Sequence, residues 1–137
     1  MYTLTNKEAL LPEAITALIR RPNVRGACLG YVRAALAGIG LRLPPPDLLI
    51  SETGHSTALA CYRELAKDPA KYGWAKVAQP EAHPVLLQFF DRCGEENGGT
   101  LTAGHIALKQ GGTLYASMDY PDTAYFRSRL VGAFVPL

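Results

Sequence analysis

The chain changes its period once, and that change decides the fold class. Up to Lys67 apolar residues recur at helical spacing, and from Trp74 onward they alternate or run in short blocks. Leu10, Leu11, Ile15, Leu18 and Ile19 predict a helix over residues 6–21. Thr5 or Asn6 can cap it, Pro12 starts or kinks its main stretch, and Arg20 and Arg21 suit its C-terminal end. Cys28, Val32, Ala35 and Ile39 share one face of a second helix, expected over 27–39 and closed by a left-handed Gly40. Pro44-Pro45-Pro46 then gives a stiff extended connector. Ala58, Leu59, Tyr62 and Leu65 line a third helix over 56–67, which Asp68-Pro69 ends.

Strands are expected at Trp74–Ala78, Val85–Phe90, His105–Gln110, Thr113–Asp119 and Arg129–Val135. Gly111-Gly112 joins two of them as a tight hairpin. Helices first and antiparallel strands later indicate an α+β fold, with the helices packed on one face of the sheet. A length of 137 residues fits a single catalytic domain spanning 1–137.

Bulk properties narrow the functional classes. A net charge of +2 is too weak an excess to argue for nucleic acid. No stretch approaches the roughly 18 apolar residues of a membrane span. Met1–Glu8 lacks the basic start and apolar run of a signal peptide, so synthesis in the cytoplasm and release by another route are expected. Cys28, Cys61 and Cys93 are odd in number and widely spaced, which fits neither a disulfide framework nor a zinc site. No metal and no cofactor is expected.

Two residues carry the chemistry. Cys28 stands where a loop becomes a helix, and the free N–H groups and partial positive charge of a helix start lower a thiol pKa. Gly26 leaves room for a substrate carbonyl to approach backbone amides that act as an oxyanion hole. His105 follows Gly104 and opens an apolar strand, so its imidazole can face a cleft while Ile106 and Leu108 anchor the backbone. A third group should orient that imidazole. On a strand over Thr113–Asp119, Asp119 is the acid that shares a face with Thr113, Tyr115 and Ser117, with Ser117 and Tyr115 as weaker orienters. Cys61 reads as core, Cys93 as incidental, His55 as a helix-entry residue and His83 as an exposed turn residue.

The segments Cys28-Leu29-Gly30-Tyr31-Val32, Tyr72-Gly73-Trp74 and Gly104-His105-Ile106-Ala107-Leu108, closing on Val131–Pro136, come in an order that resembles the CHAP and NlpC-type peptidoglycan hydrolases, a papain-like superfamily. The family's Pro-Gly-Asp is absent, and His83–Phe90 matches that region only loosely. The resemblance implies a papain-like fold and cleavage of an amide bond in cell-wall peptidoglycan, either N-acetylmuramoyl–L-alanine or a link in the peptide stem. Cys28 would be the nucleophile, His105 the acid–base group and Asp119 the orienter, with Asn23, Tyr31 and Ser117 contacting substrate. It also implies a monomer released as a phage lysin, carried in a virion, or delivered as a type VI effector with an immunity or delivery partner. The rival expectations are an inactive virion domain of the same fold and a protein-directed deamidase or acyltransferase.

Overall fold

The computed structural model describes residues 5, 7–21, 28–48, 57–91 and 104–137, apart from the side chain of Asp47. The helical half comes first, as its periodicity predicts. Helix α1 spans Leu11–Ile19 and is preceded by a 3-10 turn at Glu8–Leu10. Thr5 and Glu8 close that entry reciprocally: the Glu8 N–H donates to Thr5 Oγ1 at 3.1 Å, and the Thr5 N–H donates to Glu8 Oε2 at 3.3 Å. This is a capping box, which satisfies donors that a helix start leaves free. Pro12 sits in the first turn, where its missing N–H is not needed.

Helix α2 spans Cys28–Ala37. Gly40 follows it at φ +81, the left-handed conformation its position predicts. The Leu41 N–H bonds back to Leu36 O at 2.9 Å. Helix α3 spans Ala58–Lys67, starting two residues later than expected and ending at the expected residue, and Thr57 Oγ1 caps it by accepting from the Ala60 N–H at 3.1 Å.

The strands are β1 (Trp74–Lys76), β2 (Val85–Phe90), β3 (His105–Gln110), β4 (Thr113–Tyr115), β5 (Asp119–Pro121) and β6 (Leu130–Pro136). They form one sheet in the order β1-β6-β2-β3-β4-β5, and every adjacent pair is antiparallel. Gly111-Gly112 makes the β3–β4 hairpin, with Gln110 opposite Thr113 and Gly111 at φ +61.

Register fixes the two faces. Leu87, Phe89, Phe134, Ile106 and Leu108 fall on one face by cross-strand pairing and alternation. They share a core with the buried sides of α1, α2 and α3. Tyr62 of α3 lies with its ring centroid 5.6 Å from Phe89 and 6.3 Å from Phe134, and Phe89 meets Phe134 edge-on at 5.7 Å. Phe89 and Phe134 are fully buried, each worth roughly 2–3 kcal/mol of removed apolar surface. The opposite face carries a smaller cluster of Leu86, Ala133 and Val135. The α+β class read from the sequence, N-terminal helices packed on a C-terminal antiparallel sheet, is the observed one.

Two elements depart from the sequence reading. The strand expected over Thr113–Asp119 is broken: β4 stops at Tyr115, the chain turns through Ala116–Met118, and β5 folds back with Asp119 opposite Tyr115. The Ala116 N–H donates to Met118 O at 3.2 Å inside that turn. The reversal leaves Pro121 on the outermost strand, where a residue without an N–H does not interrupt a ladder. A short helix, α4 (Ala124–Arg127), follows β5, and Phe126 is its buried residue.

Candidate functional site

Cys28 opens α2, and the backbone N–H groups of Ile106, Leu29 and Cys28 itself lie beside its sulfur, where they favour the thiolate. The last two are the free donors of a helix start, so the local chemistry is that of a helix-opening cysteine. Burial nevertheless outweighs them. Cys28 is only 7% exposed, and removal from water pushes its thiol above the usual range while the three amides pull it down. The expected low thiol pKa is therefore not found at rest. Cys61, on α3, is fully buried and its thiol is pushed up to about 12 by burial.

The Ile106 amide reaches the sulfur because β4 ends early. Pairing between β3 and β4 stops at Leu108 and Tyr115. Continued by two residues, the same register would have set Ser117 against Ile106. Instead the chain turns away, and the Ile106 N–H lies beside the Cys28 sulfur. Ser117 lies in that turn, 3% exposed, and its Oγ is buried without a hydrogen-bond partner among the described residues.

His105 is the neighbour of Ile106 on β3. Gly104 precedes it at φ +71, and a Cβ there would come within 2.5 Å of Leu59 Cγ and 2.7 Å of Phe90 O. Glycine is thus required immediately before the histidine on two independent grounds. His105 pairs with Phe90 across the β2–β3 ladder, so both project on the face opposite Tyr62, Phe89 and Ile106. Its ring lies 5.8 Å from Phe90, 5.6 Å from Phe126 of α4 and 5.5 Å, edge-on, from Tyr120 of β5. It is fully buried, and burial lowers its pKa to about 4. The imidazole is therefore neutral at pH 7, the form that accepts a proton.

The other candidates fall as follows. Asp119 opens β5, exposed, with its carboxyl raised somewhat by nearby protein. Pairing with Tyr115 puts Asp119 on the face of Leu108, away from the His105 ring, and Tyr120 takes the place beside the imidazole. The expected side-by-side placement of Asp119 and His105 is corrected on that point, because it assumed an unbroken strand. Tyr31 is half-buried on α2 beneath the Arg21 guanidinium, 5.5 Å from ring centre to Cζ. Asn23, Gly26, His55 and Cys93 lie outside the described residues. Sequence reasoning missed Tyr120, Phe90 and Phe126, whose only signal was their aromatic character.

Among the described residues no group of three or more His, Cys, Asp or Glu side chains is placed to hold a metal ion, and no helix is long and apolar enough to cross a membrane.

No family model and no curated protein matches the sequence. Among solved structures the chain is similar to the Tae3 effector in the type VI native effector–immunity complex Tae3–Tai3 from Ralstonia pickettii, with a TM-score of 0.55 and 17% identity. The match covers 95% of this chain and 97% of that one. At that identity the likeness is one of fold: across nearly its whole length the chain has the architecture of a type VI effector from Ralstonia pickettii.

Proposed function

We propose that this protein is a cysteine hydrolase that cleaves an amide bond in bacterial peptidoglycan and serves as a type VI effector. The observation that carries the reading is Cys28 at the start of α2 with the Ile106 N–H beside its sulfur; His105 is the next residue on β3, with its ring resting on the opposite face of that strand. The fold shared with Tae3 supports the effector class.

Both groups are neutral at rest, so the proton moves during attack. The Cys28 sulfur bonds to the substrate carbonyl carbon, and the thiol proton passes to the His105 imidazole once the ring has turned from its resting face of β3 toward the sulfur. The Cys28 and Leu29 N–H groups stabilise the oxyanion. The imidazolium returns its proton to the departing amine as the C–N bond breaks, leaving a thioester. Water then hydrolyses the thioester, with His105 as base. At rest Phe90, Phe126 and Tyr120 hold the ring on the face of β3 opposite Ile106, so turnover requires the imidazole to leave that packing, and Asp119 is not beside it.

Purified wall sacculi provide the test. Wild-type protein clears their turbidity and releases muropeptides whose masses identify the bond, while Cys28→Ala and His105→Ala each lose at least about a thousandfold in rate. Clearing by Cys28→Ala at the wild-type rate overturns the reading. A cognate immunity protein that abolishes clearing is the expected partner.

One observation favours a second reading. Both candidate groups are almost sealed from solvent, as in an inactive domain of the same fold. Alkylation by iodoacetamide separates the two. An active site gives Cys28 a faster rate than Cys61, and the rate rises with pH as the raised thiol ionises. Equal, slow rates for both thiols support the inactive domain.

A further inference from the structure

A cavity of about 440 Å³ opens at the C-terminal end of α2, away from the cysteine end of the same helix. Ala37, Leu41, Leu43 and Pro45 give it apolar walls, and Arg33 and Arg42 give it charge. The walls are held in place. The Leu41 N–H bonds to Leu36 O at 2.9 Å, and Arg42 O accepts from Trp74 Nε1 at 2.6 Å.

Arg33 is the unexplained part. Its Nη1 donates to Pro44 O at 2.6 Å, which pins the guanidinium against the connector. Its Nη2 is buried and has no hydrogen-bond partner among the described residues. A buried guanidinium donor left unmatched is costly, and a carboxylate is the acceptor its forked geometry suits. The Cys61 thiol, within electrostatic reach of Arg33, stays protonated at neutral pH and offers no negative charge. Among the described residues no carboxylate lines the cavity, and Arg42 adds a second positive charge.

We propose that this cavity binds a carboxylate attached to a small apolar group, such as the C-terminal end of a short peptide, with Arg33 Nη2 as the anchoring donor. Leu41 and Leu43 take the apolar part, and Arg42 covers the open side. The site is separate from the Cys28 chemistry and is read without turnover, so it stands or fails independently of the hydrolase reading.

Calorimetric titration tests it with N-acetyl-D-alanyl-D-alanine, N-acetyl-L-alanyl-L-alanine and the C-terminal amide of each. The acids bind at least about tenfold more tightly than their amides, the effect of one charge-assisted hydrogen bond. Preference for the D,D acid marks a wall-derived ligand, and preference for the L,L acid marks a protein C-terminus. Arg33→Gln loses the acid–amide difference. Because Arg33 also holds Pro44, Ala37→Trp serves as a second variant: Ala37 is exposed, so the indole fills the cavity without disturbing the core. It abolishes binding with an unchanged melting temperature. Equal affinity for acid and amide, no heat from either up to millimolar concentration, or full binding by Ala37→Trp overturns the proposal.

Discussion

His105 shows how far burial can reverse what a side chain does alone. Free imidazole titrates near 6.5, but in the folded protein its pKa falls to about 4. The unfolded chain therefore takes up that proton first as pH drops. Stability from keeping the ring neutral is complete above about pH 6.5, is lost as pH falls toward 4, and changes no further below that. The difference corresponds to roughly 3 kcal/mol. Urea unfolding of the wild type at pH 7 and pH 4 should show this loss, and His105→Gln should lack that part of it. Cys28 makes the same point. Its position at a helix start was legible from Gly26-Ala27-Cys28 and the spacing that follows. Its raised thiol was not, because helix-start amides are local while exclusion of water depends on β3 and the core behind it.

Elements fixed by local chemistry were legible to within a residue or two. Gly40, Gly111-Gly112 and Asp68-Pro69 mark boundaries through backbone conformations that their neighbours do not change. The reversal from β4 to β5 was not legible, since alternation runs through Tyr115–Asp119 without interruption and only the sheet edge makes the fold-back favourable. Helix α4, from Ala124 to Arg127, is too short to carry a period at all. Gly104 is where element and site meet. Gly104→Ala combines a left-handed φ with a collision against Leu59 and the Phe90 carbonyl, and is expected to cost about 2–4 kcal/mol. Chemical denaturation measures it. A change below 0.5 kcal/mol would show that the strand entry to His105 yields easily.

At the scale of the whole molecule, the sheet order separates chain order from spatial order. Strand β6 is the final strand in sequence, yet it lies between β1 and β2 and brings Phe134 into the core beneath Tyr62. Gly132 permits that approach: a Cβ there would come within 2.5 Å of the Tyr62 ring, whose hydroxyl is tied to Val131 O at 3.0 Å. A chain ending at Ser128 is therefore expected to lose cooperative unfolding altogether rather than a few kcal/mol. Trp74 is the natural reporter. It is 1% exposed and bonded to Arg42 O in the intact protein, so its emission should shift to the red in the truncated chain.

Translation supplies β6 after the other described strands, so a nascent chain that stops short of it holds helices and four paired strands, with the place between β1 and β2 vacant. Until that slot is filled, β1 has no neighbour to pair with and β2 exposes one whole edge. Pairing of β1 therefore waits on Leu130–Pro136, and the two parts of the sheet join only once that segment has been made.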